Sequence, residues 1–127
     1  MDLTNLVRGE ALLHNDIRSD NILLTPDGRV VFVDWGMPCQ GATWLDLMLF
    51  ALTADPEGGV DVDLLVRSHP LTRDIAKSSI DVVVAAGYAA YRSLAGLEVN
   101  PLMPSNGHHI ACALAALRWL QRRASEG

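Results

Sequence analysis

HNDIRSDN, residues 14–21, and DWG, residues 34–36, are the two stretches that decide how this chain is built. Between them lie ILLT (22–25), PDG (26–28) and RVVFVD (29–34). Pro26 presets φ and Gly28 accepts a positive φ, so 26–28 reads as a turn. The flanking runs are rich in β-branched and large apolar residues, as strands are. Runs 22–25 and 29–34 are therefore a predicted β-hairpin. Antiparallel pairing sets the start of one strand beside the end of the other, so Asn21 and Asp34 should be neighbours in space. His14, Asp16, Asn21 and Asp34 would then all gather near the mouth of one hairpin.

Outward from the hairpin, ALLH (11–14) is another short apolar run, and the remainder reads as helix. Thr43 can N-cap a segment from Trp44 to about Leu52. That segment is apolar nearly all round, so it should be buried. Its one charge is Asp46, and a buried carboxylate is costly unless hydrogen-bonded. A nearby loop backbone is the natural donor. Residues 55–59 read as a loop, and Asp61 as the cap of a short helix ending before Pro70. Ile80, Val83, Val84, Gly87, Tyr88 and Tyr91 recur at helical spacing on a helix from about 74 to 94. Gly96, Pro101 and Pro104 mark a loop. A last helix is predicted over 107–124, with Ile110, Ala113, Leu114, Leu117 and Leu120 as its core face. Arg118, Arg122 and Arg123 would favour its C-terminal end.

The bulk properties narrow the classes. A chain of 127 residues suits one domain, 1–127, and half of its residues are apolar. It can bury roughly two-thirds of its unfolded surface, so a real core is available and disorder is not expected. The net charge of −5 argues against nucleic acid as a partner. No signal pattern stands at the N-terminus, and the apolar, charge-free run 82–91 is far short of the ~20 residues that span a bilayer. Cys39 and Cys112 match no metal or redox spacing and read as reduced thiols in a cytoplasmic protein. From His14 to Asp63 nine Asp/Glu face two Arg. That excess suits a metal ion or a cationic substrate, and equally a solvated acidic surface.

Phosphoryl transfer needs this donor set. A hydroxyl nucleophile needs a carboxylate to orient it and take its proton. Mg²⁺ takes hard oxygen ligands, usually one or two protein groups plus phosphate and water. A His-x-Asp loop with an Asn five residues after the Asp, then an Asp-x-Gly after a strand, is the kinase arrangement. The stretch LLHNDIRSDNILLTPDGRVVFVDWGMPCQGATWLDL, 12–47, resembles the aminoglycoside phosphotransferase family. Protein kinases of the eukaryotic type carry an Ala-Pro-Glu after Asp-x-Gly, and that tripeptide does not occur here.

The resemblance implies an α+β, protein-kinase-like C-lobe, mostly α-helical, with a small β-hairpin carrying the catalytic and metal-binding loops. It implies Asp16 as the base and Asn21 and Asp34 as Mg²⁺ ligands. His14 would brace the loop, Gly36 would let the chain turn sharply, and Asp46 would support the catalytic loop from a buried helix. The implied reaction moves the γ-phosphate of ATP to a hydroxyl of a small molecule, a cationic one if the acidic excess is used for recognition. Antibiotic resistance is one setting of such chemistry.

Departures and simpler readings stand beside this. Asn15 replaces the Gly or Arg often found between His and Asp. Arg18 fits a surface charge better than a phosphate contact. Cys39, Trp35 and Trp44 fit filler and packing roles. His108 and His109 are adjacent, do not share a helical face, and read as cap-region residues. Asp61 and Asp63 could bind a cation, but capping is the simpler use of Asp61. No glycine-rich phosphate loop occurs, and the single Lys is Lys77, so the N-terminal ATP-clamping lobe is expected to be absent. A truncated reading frame, a completing lobe on another chain, a homodimer covering the exposed apolar face, and a non-catalytic lobe remnant acting as a binding or assembly module are the alternatives this leaves. A metal-dependent hydrolase with His14 as ligand would give the Asn and Gly spacing no role.

Overall fold

Turn chemistry builds the first sheet. In the computed structural model, whose described residues are 2–57, 59–97 and 107–127, Gly28 has φ 83° and its N–H donates to the Thr25 carbonyl at 2.9 Å. Thr25 then pairs with Arg29, and strands β2 (Ile22–Leu24) and β3 (Val30–Phe32) run antiparallel with Ile22 opposite Phe32. The predicted hairpin is present. Its apolar side chains are exposed on both faces, Leu24 at 77% on one and Leu23 at 52% on the other.

A second two-stranded sheet was not legible. Strand β1 (Ala11–Leu13) pairs antiparallel with β4 (Cys39–Gly41), Leu13 opposite Cys39. Cys-Gln-Gly has no strand propensity of its own. Tertiary pairing forms it, and the chain before it packs so closely that a Cβ on Gly9 would meet the Gly41 carbonyl oxygen at 2.4 Å. A short helix α1 (Leu3–Val7), capped by Asp2, precedes β1.

Four further helices of the described residues follow: α2 (Leu45–Glu57), α3 (Val62–Ser68), α4 (Lys77–Leu97) and α5 (His108–Ser125). Helix α2 begins one residue later than expected, the Trp44 carbonyl accepting from the Met48 N–H, and Thr43 lies outside it. It also runs through Pro56, past the expected end at Leu52, so residues 55–57 are helix and not loop. Asp61 caps α3 as expected, accepting from the Leu64 N–H at 3.0 Å. Gly96 lies inside α4, while Pro101 and Pro104 fall outside the described residues. The core is built where α2, α3, α4 and α5 meet, around Met48, Leu52, Val66, Val84 and Trp119.

The buried face of α5 matches the predicted one only in part: Ala113 is fully buried and Leu120 packs against the core as expected. Ile110 and Leu114 are 36% and 47% exposed, while Cys112, Ala115, Ala116, Trp119 and Arg123 are buried. Small residues let α5 lie close along α4, and that turns the larger aliphatic side chains outward. Arg123 is correspondingly not a solvated end-of-helix charge. It is 5% exposed, donates to Asp63 at 2.7 Å and to Asp81, and so crosses from α5 to both α3 and α4. Asp63 also accepts from the Trp119 indole at 2.9 Å and pairs with Arg67 at 2.9 Å. The cation that Asp63 holds is thus the protein's own arginine. Buried charges persist only when paired and hydrogen-bonded in this way.

No helix among the described residues is long and apolar enough to cross a membrane.

Candidate functional site

The loop after β1 is held by the helix behind it. Asp46, in the first turn of α2, accepts from the backbone N–H of His14 at 2.7 Å and of Asn15 at 3.0 Å. This is the loop-backbone donor expected for Asp46, whose carboxylate is partly buried. Thr53, two turns further along the same face of α2, donates its hydroxyl to the Ile17 carbonyl at 3.2 Å. Asn15 sits at φ 66°, a left-handed conformation that Asn tolerates better than most residues. The loop therefore turns at Asn15 and presents Asp16 beyond it.

His14 is 1% exposed and ties the loop to the hairpin. Its Nε2 is 2.7 Å from the Val33 carbonyl, and its Nδ1 accepts from the Asp16 N–H at 3.2 Å. Those partners assign the proton to Nε2. The Trp35 ring lies against the imidazole, with centroids 4.6 Å apart, and its indole N–H donates to the Phe32 carbonyl at 2.9 Å.

Asn21 closes a short 3₁₀ turn (Ser19–Asn21) that leads into β2 and is 4% exposed. Its amide nitrogen donates to the Asp16 carbonyl oxygen at 2.9 Å and to the Asp16 carboxylate at 3.2 Å. The Val33 N–H donates to the Asn21 carbonyl at 2.9 Å, which extends the hairpin pairing by one step and sets Asp34 one residue past that bond. Asp34 is exposed, with φ 61°. The left-handed backbone at this turn thus belongs to Asp34 itself. Gly36 lies at the bend that follows, where a Cβ would meet Asp34 Oδ1 at an ordinary 3.8 Å.

Arg18 belongs to this cluster, which sequence reasoning had set aside. Its guanidinium is 3.6 Å from the Asp16 carboxylate and 2.9 Å from that of Asp20. Only its position two residues from each acid could have signalled this. Among the described residues no three His, Cys, Asp or Glu side chains gather as a metal site, so a cation here would take most of its ligands from elsewhere.

Residues 2–97 match the phosphotransferase enzyme family (APH), and the chain belongs to that family. It is also similar to serine/threonine-protein kinase PknD of Chlamydia trachomatis serovar L2b (strain UCH-1/proctitis), 33% identical over 98 residues, 74% of this chain and 9% of the relative. PknD of serovar D (strain ATCC VR-885 / DSM 19411 / UW-3/Cx) is 32% identical over the same share. The chain thus spans about a tenth (9%) of the length of these curated relatives. No solved structure matches it.

Proposed function

We propose that this chain is the catalytic C-lobe of an ATP-dependent small-molecule phosphotransferase, with Asp16 as base and Asn21 and Asp34 as the Mg²⁺ ligands. The observation that carries this reading is the pair of hydrogen bonds from the Asn21 amide to Asp16. They couple the base to the ligand side of the hairpin and leave the amide oxygen as the donor for a cation. One exposed carboxylate and one amide oxygen form the sparse hard-oxygen set that Mg²⁺ accepts when phosphates and water complete its shell. When bound, Mg²⁺ neutralises charge on the phosphates.

Asp16 orients the acceptor hydroxyl and takes its proton. The hydroxyl oxygen bonds to the γ-phosphorus, the bond from that phosphorus to the leaving ADP oxygen breaks, and Asp16 releases the proton to solvent. Asn21 fixes the carboxylate that receives the proton, and Asp46 fixes the backbone that carries it. The exposed apolar hairpin is the face on which a nucleotide-clamping lobe or a second copy would sit, and covering it would remove apolar area from water. A cytoplasmic setting, where ATP is at hand, fits the chemistry.

Calorimetric titration of the whole chain with ATP, with and without Mg²⁺, tests the site beside Asp34→Ala. Binding that needs Mg²⁺ and disappears in the variant is expected. In the active assembly, Asp16→Ala should lower turnover by about a hundredfold to ten-thousandfold. Undiminished turnover would remove Asp16 from its role, and a folded chain indifferent to Mg²⁺-ATP would make the binding-module reading the better one.

A further inference from the structure

A cavity of about 380 Å³ opens beside Asp16, between α2, the middle of α4 and the start of α5. Its chemistry bears on the acceptor. Leu49 and Leu52 form one wall, and Ala90, Tyr91 and Leu94 the other. Leu52 fills the space where a Cβ on Gly87 would stand, at 2.6 Å from its Cδ1, so that wall is aliphatic throughout. The Tyr91 ring stacks with His109, centroids 6.0 Å apart and planes 27° from parallel, and gives the cavity a flat aromatic side. Burial is the main influence pushing the Tyr91 phenol up, to about 12, so it stays a neutral hydroxyl.

The charges point the same way. Asp16 is the one carboxylate among the described residues that line the cavity, and Arg18 lines it beside Asp16. A polycation needs several carboxylates facing it. Five of the nine acidic residues that made such a substrate attractive are engaged elsewhere. Asp20 pairs with Arg18, Asp27 with Arg29, Asp63 with Arg123, Asp61 caps α3 and Asp46 holds the loop. We infer that the acceptor is a neutral amphipathic alcohol, an apolar ring or short chain seated between Tyr91 and the leucines of α2 with its hydroxyl toward Asp16, and not a polycationic aminosugar. As an acceptor assignment this rests on the phosphotransferase reading; as a binding site it stands on the cavity alone.

The test is titration of the whole chain, without nucleotide, with phenethyl alcohol and with kanamycin, followed by amide NMR shifts. Phenethyl alcohol should saturate and move resonances of Leu49, Leu52 and Tyr91, and kanamycin should not saturate. Ala90→Trp, at an exposed position on the cavity edge, should fill the space the ligand ring needs and weaken phenethyl alcohol by at least about tenfold. Leu94→Asp, also at an exposed position, should weaken it too, so a fold defect in one variant leaves the other to decide. Saturable kanamycin with no phenethyl alcohol binding overturns the inference, as does phenethyl alcohol binding that both folded variants retain. Because nucleotide is absent, these outcomes are independent of whether Asp34→Ala abolishes Mg²⁺-ATP binding.

Discussion

Asp46 and His14 lie 32 positions apart, yet the Asp46 carboxylate accepts the His14 backbone N–H at 2.7 Å. Its other oxygen takes the Asn15 N–H at 3.0 Å. One side chain from a helix thus satisfies two successive loop donors, and that fixes the direction in which the chain delivers Asp16. Asp46→Ala leaves both N–H groups without this acceptor, and hydrogen bonds to a charged acceptor are worth more than neutral ones. The expected loss is about 2–4 kcal/mol in urea unfolding. Amide exchange should accelerate at His14 and Asn15 more than in α4. A variant with unchanged stability and unchanged exchange at those two amides would show that Asp46 does not hold the loop.

His14 makes a second, independent tie. The Asp16 N–H requires a lone pair on Nδ1, and the Val33 carbonyl requires a proton on Nε2. Nitrogen-15 chemical shifts of the imidazole should therefore report the neutral Nε2–H tautomer. His14→Phe keeps a ring against Trp35 but leaves the partly buried Asp16 N–H and Val33 carbonyl without these partners. It should cost about 2–4 kcal/mol, one desolvation penalty for each abandoned group. Shifts that place the proton on Nδ1 would sink this account of how the loop meets the hairpin.

The parts of the molecule that were legible are those where chemistry and local geometry coincide. Pro26 and Gly28 announce a turn because each supplies the φ the turn needs, and the hairpin with Asn21 beside the Val33–Asp34 step follows. Asp46 announced a partner because its charge is isolated in an apolar segment. Strand β4 gave no signal, since Cys39-Gln40-Gly41 becomes a strand only by pairing with Ala11–Leu13. Part of the inward face of α5 is not legible from aliphatic size, because Ile110 and Leu114 turn outward while Ala113 and Leu120 face the core. Alanine and cysteine mark it instead, with Trp119 and a neutralised Arg123, and that neutralisation depends on two carboxylates from other helices.

The Arg123 cluster gives the fold an acid-sensitive clamp, and the sign can be worked out. Burial is the largest single influence on Asp63 and pushes its carboxyl up. The hydrogen bonds from Trp119 and Arg123, with the charges of Arg123 and Arg67, together outweigh it and hold the group below its ordinary 3.8. Asp81 is likewise pushed up by burial and held below 3.8 on balance by Arg123 and Lys77. A carboxyl whose folded value is depressed binds protons less readily folded than unfolded, so it adds stability above the ordinary value. That contribution is complete above 3.8 and disappears as pH falls from there through the lowered folded values. Urea midpoints of the wild type should thus fall steeply on acidification below about pH 4, the ordinary carboxyl range. Asp63→Asn should be less stable at neutral pH and show a flatter acid limb, because one of the two titrating partners is gone. Arg123→Met should be destabilised by about 2–3 kcal/mol at neutral pH, since it removes the buried cation shared by two carboxylates and leaves Asp63 to Trp119 and Arg67 and Asp81 to Lys77. An acid limb of equal slope in wild type and Asp63→Asn would mean that the acid sensitivity lies elsewhere in the chain.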